Sequence, residues 1–250
     1  MKSFEIVAHR GVPFEEPENT INSFLRAMQL GADAVEFDVR LTADRIPVVY
    51  HYYYLDKYTT GRGPIFAYTL EQLRPLRVYC LENPKATEGS ISTLDEVIGQ
   101  IGGRIGMEIE IKGPEPEAPQ LIGEVLAKYK RYWPSIEVTS FEPALLLEMQ
   151  KMCPDIAVDL LYPLSESWMK LDVAAYRAVH HTRLAKARAV HLHSTQLSPE
   201  VIRVLRSQGI EIHAWDVNDM ESLKNSAHYG ISRICTDRLQ QALDFRARFK

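Results

Sequence analysis

Short apolar runs alternate with amphipathic segments along almost the whole of this sequence, and this alternation constrains the fold more than any other feature. The apolar runs have the length of strands, and most are followed by a segment whose apolar residues recur with helical period. Strands that alternate with helices form a parallel sheet, because each helix returns the chain to the edge where the next strand begins. The predicted strands are residues 4–9, 34–39, 46–51, 105–111, 136–141, 156–162, 189–193, 210–217 and 232–236.

Helices are predicted between most of these strands, and two of them have clear end signals. Thr20 is a suitable N-cap and Gly31 a suitable stop for the first helix. Later in the chain the same design recurs, with Ser198 as the cap, Pro199 at the first position and Gly209 at the end. The predicted helices are residues 20–30, 117–131, 142–152, 198–208, 219–229 and 237–249.

The number of strands distinguishes between the two common parallel architectures. Eight or nine strands in 250 residues fit a closed (β/α)8 barrel better than an open doubly wound sheet. The GxGxxG turn of a dinucleotide-binding sheet does not occur in the sequence. We therefore predict an α/β protein in which residues 1–250 form a single TIM-barrel domain.

One connection is too short for a barrel crossover. Residues 40–45 cannot hold a helix, so the second and third strands are expected to pair as a hairpin. A tight turn at Asp44 and Arg45 would place Asp38 opposite His51.

Another connection is too long. Residues 52–104 exceed the usual length of a barrel loop, and we predict that they form a small insertion after the third strand. The tyrosines at the start of this segment favour packing of the insertion against the barrel over a lipid-contacting rim.

Charge and cysteine usage exclude some classes of protein. The formal net charge of −4 argues against a nucleic-acid partner, which favours a basic face. The three cysteines are far apart and have no metal-binding spacing, as is usual in a reducing compartment. No apolar run is long enough for a signal-peptide core or a membrane helix. We expect a cytoplasmic monomer or homodimer with no stable membrane insertion.

Acidic side chains share one face of two predicted strands. Glu36 and Asp38 end the second strand at positions i and i+2, and Glu108, Glu110 and Lys112 share a face of the fourth. The carboxyl ends of barrel strands form the open, functional face. Three carboxylates converging there suit a hard cation such as Mg²⁺ or Ca²⁺, because unpaired carboxylates are costly to bury. The alternatives are a solvated strand face for the first pair and a simple salt bridge between Glu110 and Lys112.

Two histidines end predicted strands on the same face. His9 ends the first strand and is followed by Arg10, and His51 ends the third. Two imidazoles can act as base and acid on opposite sides of a phosphorus atom, while Arg10, Lys112 and a divalent ion neutralise the phosphate. A phosphodiester is favoured over an ester or a peptide, because the sequence has neither a nucleophile elbow nor a Cys–His signature. Taken alone, each histidine is as consistent with a buried, hydrogen-bonded residue of the core as with a catalytic residue.

Other residues at predicted strand ends have competing interpretations. His191 and His193, spaced i and i+2, are a rival metal pair, although no carboxylate is near them in the sequence. Trp215 is either an aromatic plug of the core or part of a pocket. Phe141 is either a second apolar wall of that pocket or a packing residue.

Several short motifs follow one another in a characteristic order over nearly the whole chain. They are AHRG (8–11), PENT (17–20), GADAVEFDVRLTAD (31–44), PVVYH (47–51), TTGRG (59–63), EIEIK (108–112), AWDVN (214–218) and ICTD (234–237). In order and spacing they resemble the motifs of the glycerophosphodiester phosphodiesterase family. The resemblance implies a TIM barrel with a small insertion after the third strand.

The resemblance also implies a role for each candidate residue. The metal ligands would be Glu36, Asp38 and Glu110, holding one Mg²⁺ or Ca²⁺, with Mn²⁺ as a further candidate. The acid–base pair would be His9 and His51, the phosphate contacts would be Arg10 and Lys112, and Trp215 would contact the glycerol backbone. The implied reaction converts a glycerophosphodiester, a small molecule, into sn-glycerol 3-phosphate and an alcohol. By analogy with phosphoinositide-specific phospholipase C, it would pass through a cyclic phosphate.

This chain departs from the family pattern at two positions. Tyr52 follows the second histidine where the family usually has Asp, and Asp216 stands where Thr is usual. The first difference puts the rate and substrate range in question, and the second favours a cationic headgroup. Two alternatives stay open, namely a lysophospholipase D acting on lipid substrates and a barrel that binds glycerophosphodiesters without cleaving them.

Overall fold

The computed structural model describes residues 4–248, in which eight parallel strands close into a barrel surrounded by helices. The strands are β1 (Glu5–His9), β2 (Ala34–Leu41), β3 (Pro47–Val49), β4 (Gly106–Ile111), β5 (Ile136–Ser140), β6 (Ala157–Leu161), β7 (Ala189–His193), β8 (Glu211–Trp215) and β9 (Arg233–Thr236). β1 pairs with both β2 and β9, which closes the ring, and β3 lies outside it. The predicted TIM barrel is confirmed.

Most of the predicted helices begin and end within two residues of the predicted positions, but the one predicted at 117–131 ends at Leu126 and continues as a 3-10 helix over Ala127–Ser135. The predicted end of the last helix, at residue 249, lies outside the described residues. The helices are α1 (Ile21–Leu30), α2 (Leu70–Leu73), α3 (Leu94–Ile101), α4 (Ala118–Leu126), α5 (Pro143–Met152), α6 (Leu171–Leu184), α7 (Pro199–Ser207), α8 (Met220–His228) and α9 (Leu239–Ala247). The Thr20 side chain caps α1 by accepting from the amide of Ser23, and Gly31 ends the helix with a left-handed φ of 97°. Ser198 caps α7 in the same way, as predicted.

Helix α6 was not among the predicted helices. Its buried face consists largely of small residues, Ala174, Ala175 and Ala178, next to Val179. Alanine is a strong helix former but contributes little to an apolar periodicity, so the pattern that identified the other helices is weak here.

Strands β2 and β3 pair antiparallel, so the predicted hairpin is confirmed, but its register differs by one residue. The amide of Tyr50 donates to the carbonyl of Asp38 at 2.9 Å. Tyr50, rather than His51, therefore lies opposite Asp38. The predicted opposition is wrong because the turn has three residues instead of two, with Arg45 in a left-handed conformation at φ 63°.

The long connection after β3 has a small core of its own. Its buried residues, which pack with Val48 of β3, are Tyr50, Leu55, Ile65, Leu73, Val78 and Ile91. Helix α3 ends the connection and packs against β3 and α1, so it belongs to the helical layer around the barrel. The connection thereby places its tyrosines beside the carboxyl end of the strands.

The main apolar core lies between the outer faces of the strands and the helices. Phe24 of α1 packs on Phe37 of β2, for example, with ring centroids 5.3 Å apart. Alternate residues of the strands point into the ring, and on β2 and β4 these are acidic. The barrel interior is therefore polar over much of its length, where such barrels usually have branched apolar side chains.

Two further observations bear on the surroundings of the chain. Cys80, Cys153 and Cys235 are free thiols, and all three are buried. Among residues 4–248, no helix combines the length and the hydropathy that crossing a bilayer requires.

Candidate active site

The predicted site residues meet at one cavity over the carboxyl ends of the strands. The cavity is lined by His9, Arg10, Glu36, His51, Glu108, Glu110, Lys112, Phe141, Leu161, Trp215, Asp216 and Cys235. Asp38 lies directly beneath it, fully buried. The structure thus brings together all eight residues to which the resemblance assigns a role.

Three carboxylates form the floor of this cavity. The parallel pairing of β2 with β4 sets Asp38 beside Glu110, and Glu36 is one inward-facing position earlier on β2. One oxygen from each of the three lies within 4.8 Å of the others, and all three residues are buried. This is an arrangement of hard oxygen donors of the kind that Mg²⁺ and Ca²⁺ prefer.

The electrostatics of these carboxylates fit a cation site. Burial and the neighbouring Asp38 carboxylate raise the pKa of Glu36 well above its usual range, and the same two causes raise the pKa of Glu110 to about 7. Burial acts in the same direction on Asp38, but the charges of Arg10 and Lys112 hold its pKa well below the usual range. The buried Oδ1 atom of Asp38 accepts no hydrogen bond. A divalent cation would engage this oxygen and remove the repulsion among the three charges.

Two cationic side chains flank the carboxylates. The Nε atom of Arg10 is 3.1 Å from Asp38 Oδ2, and its Nη1 atom donates to Glu18 Oε1 at 3.3 Å. The Nζ atom of Lys112 lies 2.7 Å from Glu110 Oε1 and 3.5 Å from Asp38 Oδ1. Both cations therefore border the acidic floor while still facing the cavity, where a phosphate would meet them.

A sharp backbone turn after β1 places Arg10. Arg10 and Gly11 both have positive φ, 52° and 89°, which turns the chain away from the strand at once. A Cβ atom at Gly11 would collide with Ser23, whose hydroxyl accepts from the amide of Val12 at 2.7 Å. The glycine of the HRG motif is thus required by its φ and by this close approach.

His9 is oriented by an acidic partner from the end of the barrel sequence. Its Nδ1 atom lies 2.6 Å from Asp237 Oδ1, and its Nε2 atom is 3.8 Å from Glu36 Oε2. Burial opposes ionisation of Asp237, but the hydrogen bond with His9 and the charge of that ring hold its pKa below the usual range. The carboxylate fixes the tautomer with hydrogen on Nδ1 and leaves Nε2 facing the cavity.

His51 follows β3 and faces the cavity from the other side. Burial lowers the pKa of His51 to about 3. The nearby Asp38 acts against this shift, while the charges of Arg10 and Lys112 add to it. Its Nδ1 atom is buried without a hydrogen-bond partner. His51 is therefore a neutral imidazole, in contrast to the carboxylate-paired His9.

Tyr52 supports the His51 ring from the side. The two rings meet edge to face with centroids 4.5 Å apart, and Tyr52 stacks on Tyr58 at 4.1 Å with an interplanar angle of 7°. The guanidinium of Arg10 lies 5.9 Å from the centroid of Tyr52. An aromatic stack therefore occupies the position after His51, where Asp is usual in the family that the motifs resemble.

Aromatic side chains form an apolar wall of the cavity. Trp215 and Phe141 meet edge to face with ring centroids 6.1 Å apart. The indole Nε1–H of Trp215 donates to the carbonyl of Tyr162 at 3.2 Å, which fixes its ring. Both residues line the cavity, so they belong to its wall rather than to the apolar core alone.

Several residues of the site were not singled out from the sequence. Glu18 pairs with Arg10, Asn19 exchanges two hydrogen bonds with Asp38, and Asp237 holds His9. Asn218 in turn donates to Asp237 at 2.7 Å. All four lie within the motifs PENT, AWDVN and ICTD, so the motifs carried the signal although no spacing argument identified the individual residues.

The rival histidine pair does not form a joint site. His191 is buried inside the barrel, 2.8 Å from His213. His193 lies at the rim, where its Nε2 atom is 2.9 Å from Asp216 Oδ2. The group of potential metal ligands around His191 does not include His193.

The open end of the barrel presents two histidines, two cations and an acidic floor. These groups are suited to the hydrolysis of a phosphodiester. Comparison with known proteins makes this assignment specific. The chain belongs to the glycerophosphoryl diester phosphodiesterase family, whose model matches residues 9–241. It is accordingly an enzyme, a phosphodiesterase of glycerophosphodiesters.

Individual relatives agree with this assignment. A glycerophosphodiester phosphodiesterase of Caldanaerobacter subterraneus subsp. tengcongensis is 32% identical over 93% of each chain. A phosphodiesterase of Oleispira antarctica, solved in complex with the product sn-glycerol 3-phosphate, is 27% identical with a TM-score of 0.83 and covers 96% of this chain and 95% of its own. The glycerophosphodiester phosphodiesterase of Thermotoga maritima is 26% identical with a TM-score of 0.76, over 98% of this chain and 99% of its own.

Proposed function

We propose that this enzyme hydrolyses glycerophosphodiesters to sn-glycerol 3-phosphate and an alcohol, with a divalent cation held by Glu36, Asp38 and Glu110. The observation that carries the proposal is the convergence of these three carboxylates, within 4.8 Å, at the cavity that His9 and His51 line. The Oleispira antarctica relative supports the choice of product, because its structure contains sn-glycerol 3-phosphate.

The cation would be Mg²⁺, Ca²⁺ or Mn²⁺, since the donors are oxygen atoms alone. When bound, it would act as a Lewis acid on the phosphate oxygens. The chain supplies the remaining positive charge through Arg10 and Lys112, which border the same floor. These two side chains would bind the non-bridging oxygens and stabilise the charge that grows on them during the reaction.

The two histidines differ in their surroundings, and this difference suggests their roles. The Nδ1 atom of His9 is in contact with a carboxylate, that of Asp237, whereas His51 lies close to two cations that disfavour a further charge. In the first step, His51 would take the proton of the glycerol 2-hydroxyl as that oxygen attacks phosphorus. His9 would donate a proton to the departing alcohol oxygen as its bond to phosphorus breaks.

The second step would reverse these roles. The first step leaves a five-membered cyclic phosphate, with the proton on His51 and none on the Nε2 atom of His9. His9 would then take a proton from water as the water oxygen attacks phosphorus, and His51 would return its proton to the 2-oxygen. The products are sn-glycerol 3-phosphate and the free alcohol, and both histidines regain their starting states.

The aromatic wall would bind the carbon skeleton of the glycerol. Trp215 and Phe141 present apolar ring surface at the cavity beside the two cations. Such a wall excludes water from one side of the substrate and orients its carbon chain, while the polar groups fix the phosphate.

The experiment measures how fast purified protein, after treatment with EDTA, releases sn-glycerol 3-phosphate from its substrates. Glycerophosphocholine, glycerophosphoethanolamine, glycerophosphoglycerol and lysophosphatidylcholine would each be offered, with Mg²⁺, Ca²⁺ or Mn²⁺ added back. Lysophosphatidylcholine would yield choline and an acylated glycerol phosphate instead, so its turnover is followed as choline release. We expect turnover of water-soluble glycerophosphodiesters only when a divalent ion is restored. Turnover confined to lysophosphatidylcholine would assign the enzyme to lipid substrates, and turnover undiminished by EDTA would reject the metal.

A further inference from the structure

The barrel interior holds a second polar cluster, on strands β5 to β8 and next to Glu108 of β4. It consists of one inward-facing side chain from each of four consecutive strands, β5 to β8, and all four are buried. The residues are Glu137, Asp159, His191 and His213. The mechanism proposed above uses none of them. Burying such groups is costly unless each is paired or binds a cation, so the cluster needs an explanation.

The four side chains aim one atom each at a common point. The Nε2 atom of His191 lies 2.8 Å from His213 Nδ1, 3.2 Å from Glu137 Oε1 and 3.5 Å from Asp159 Oδ2. The Nδ1 atom of His213 lies 3.9 Å from Glu137 Oε1 and 3.7 Å from Asp159 Oδ2. Ligand atoms around a tetrahedral Zn²⁺, at about 2.0–2.1 Å from the metal, are about 3.3 Å from one another. The observed separations scatter around that value.

The outer nitrogen of each imidazole is held by a further carboxylate. The Nδ1 atom of His191 is 3.3 Å from Glu108 Oε1, and the Nε2 atom of His213 is 3.3 Å from Glu211 Oε1. With hydrogen on these outer nitrogens, the lone pairs of the inner nitrogens would be directed at the common point. Histidines that bind metals in proteins almost always have such a partner for the second nitrogen.

The carboxylate ligands are oriented as well. Arg188 bridges Glu137 Oε2 and Asp159 Oδ2, and its Nε atom donates to Asp159 Oδ1 at 3.2 Å. The Oε1 atom of Glu137, in contrast, is buried and has no hydrogen-bond partner, although it points into the cluster. Glu137 is only 4% exposed, so bulk solvent does not reach this oxygen.

Hydrogen bonds and protons alone do not balance the negative charge of this cluster. The inner nitrogens of His191 and His213 are so close that only one of them can carry hydrogen. In the part of the chain that the structure describes, the carboxylates of Glu108, Glu137, Asp159 and Glu211 face two guanidinium groups, from Arg188 and Arg233. One proton therefore leaves an excess of negative charge, whereas a divalent cation cancels it and leaves both imidazoles neutral.

We propose that Glu137, Asp159, His191 and His213 form a closed, structural Zn²⁺ site. Two imidazole nitrogens among the donors favour Zn²⁺ over Mg²⁺ and Ca²⁺, which prefer oxygen atoms alone. All four positions are filled by protein atoms, as in structural rather than catalytic zinc sites. The metal would link four neighbouring strands and stabilise that half of the barrel. This site is separate from the cation of the hydrolysis, and its test needs no substrate.

The test is zinc binding by the full chain after metal removal and dialysis. We expect one Zn²⁺ per chain that resists exchange with Mg²⁺, and a rise in Tm of about 5–10 °C when zinc is present at about a hundredfold excess over Kd. Co²⁺ in place of zinc is expected to give the intense visible absorption of tetrahedral coordination. No zinc uptake, with an unchanged Tm and no such absorption, would overturn the proposal. The cluster would then be a hydrogen-bonded network without a metal.

Two variants locate the metal. H213Q removes one ligand, and we expect zinc affinity to fall at least about tenfold with loss of the Co²⁺ absorption. E110Q removes a ligand of the catalytic cation and is expected to leave both zinc measurements unchanged. Zinc binding that is lost in E110Q but retained in H213Q would contradict the proposal, because the zinc would then occupy the active site. If H213Q does not fold, removal and restoration of zinc in the unsubstituted protein still decide the question.

Discussion

The Nδ1 atom of His9 lies 2.6 Å from Oδ1 of Asp237, although the two residues are 228 positions apart in the chain. The closing of the barrel creates this contact, because β1 pairs directly with β9. Among residues 4–248, no carboxylate is in hydrogen-bond contact with His51, and its Nδ1 atom has no hydrogen-bond partner. The two histidines are thus chemically unequal before any substrate binds.

This inequality predicts that His9→Ala and His51→Ala respond differently to the leaving group. With glycerophosphocholine, each variant is expected to lose at least about a hundredfold in rate, the usual size of an acid–base contribution. With a 4-nitrophenyl ester of glycerol phosphate, His9→Ala is expected to recover most of its loss, because nitrophenolate departs without a proton. The measurement is initial release of nitrophenol. Equal losses for both variants with both substrates would contradict the assigned roles.

Tyr52 is expected to act through its ring, which packs against His51 and stacks on Tyr58. Tyr52→Ala should lower kcat by about tenfold or more with a smaller change in KM, because a displaced base costs rate rather than binding. Tyr52→Phe keeps the stack, and we expect it to retain at least about a third of the activity. If Tyr52→Phe were as impaired as Tyr52→Ala, the hydroxyl rather than the ring would be responsible.

Asp216 is expected to favour substrates with a cationic headgroup. Its side chain is 46% exposed and lies at the rim of the cavity, where it accepts from Asn218 and pairs with His193. Asp216→Asn should reduce the preference for glycerophosphocholine over glycerophosphoglycerol by about twofold to fivefold, the size of a partly exposed charge interaction. The ratio of kcat/KM values measures this.

The matched control for Asp216 is Asp244→Asn, an exposed aspartate on α9 outside the cavity. Added salt should weaken the preference of the unsubstituted enzyme, since salt screens exposed charges. A ratio that is the same in Asp216→Asn and in the unsubstituted enzyme would remove Asp216 from headgroup selection.

Stability should depend on pH through the cap of helix α8. Asp219 accepts from the amide of Ser222 at 2.7 Å, and this hydrogen bond, with that from the Ser222 hydroxyl, lowers the pKa of Asp219. A lowered pKa stabilises the fold above the unfolded value of about 4, and this contribution disappears as the pH falls through the folded value. At pH 7, Asp219→Ala should lower the free energy of unfolding by about 1 kcal/mol.

Urea denaturation at pH 7, and again at the lowest pH at which the protein stays folded, tests this pH dependence. We expect the difference between the unsubstituted protein and Asp219→Ala to shrink at the lower pH. Asp244→Ala serves as the control, because Asp244 caps no helix. A difference that grows as the pH falls would refute the sign of the linkage.

The barrel could be predicted from the sequence because its strands and helices differ in apolar periodicity. The ends of β1 and β4 were predictable for the same reason, whereas β2 extends to Leu41, two residues beyond its predicted end. The positions of His9, Glu36 and Glu110 on these strands were predictable nevertheless. The side of the barrel that each residue faces follows from the two-residue repeat of a strand. Helix α6 could not be predicted in this way, because the alanines on its buried face contribute little to the apolar periodicity.

Contacts that depend on register or on closure could not be predicted in this way. The displacement of His51 by one residue arises from a left-handed Arg45 in the turn, which no propensity of arginine indicates. Asp237 reaches His9 only because the ring closes. The histidines of the interior cluster come from two strands and the carboxylates beside them from two others, so no local spacing joins them. His191 was associated with His193 for that reason, whereas its actual partner is His213.

The central claim is that Glu36, Asp38 and Glu110 hold the cation on which hydrolysis depends, and Glu110→Gln tests it most directly. The measurement is the rate of sn-glycerol 3-phosphate release from glycerophosphocholine as Mg²⁺ is titrated into metal-free enzyme, with Glu124→Gln, an exposed residue of α4, as the control. The account predicts that Glu110→Gln needs at least about tenfold more Mg²⁺ and stays at least about a hundredfold slower at saturation, while Glu124→Gln is unaffected. A Glu110→Gln variant with the Mg²⁺ dependence and maximal rate of the unsubstituted enzyme would contradict it.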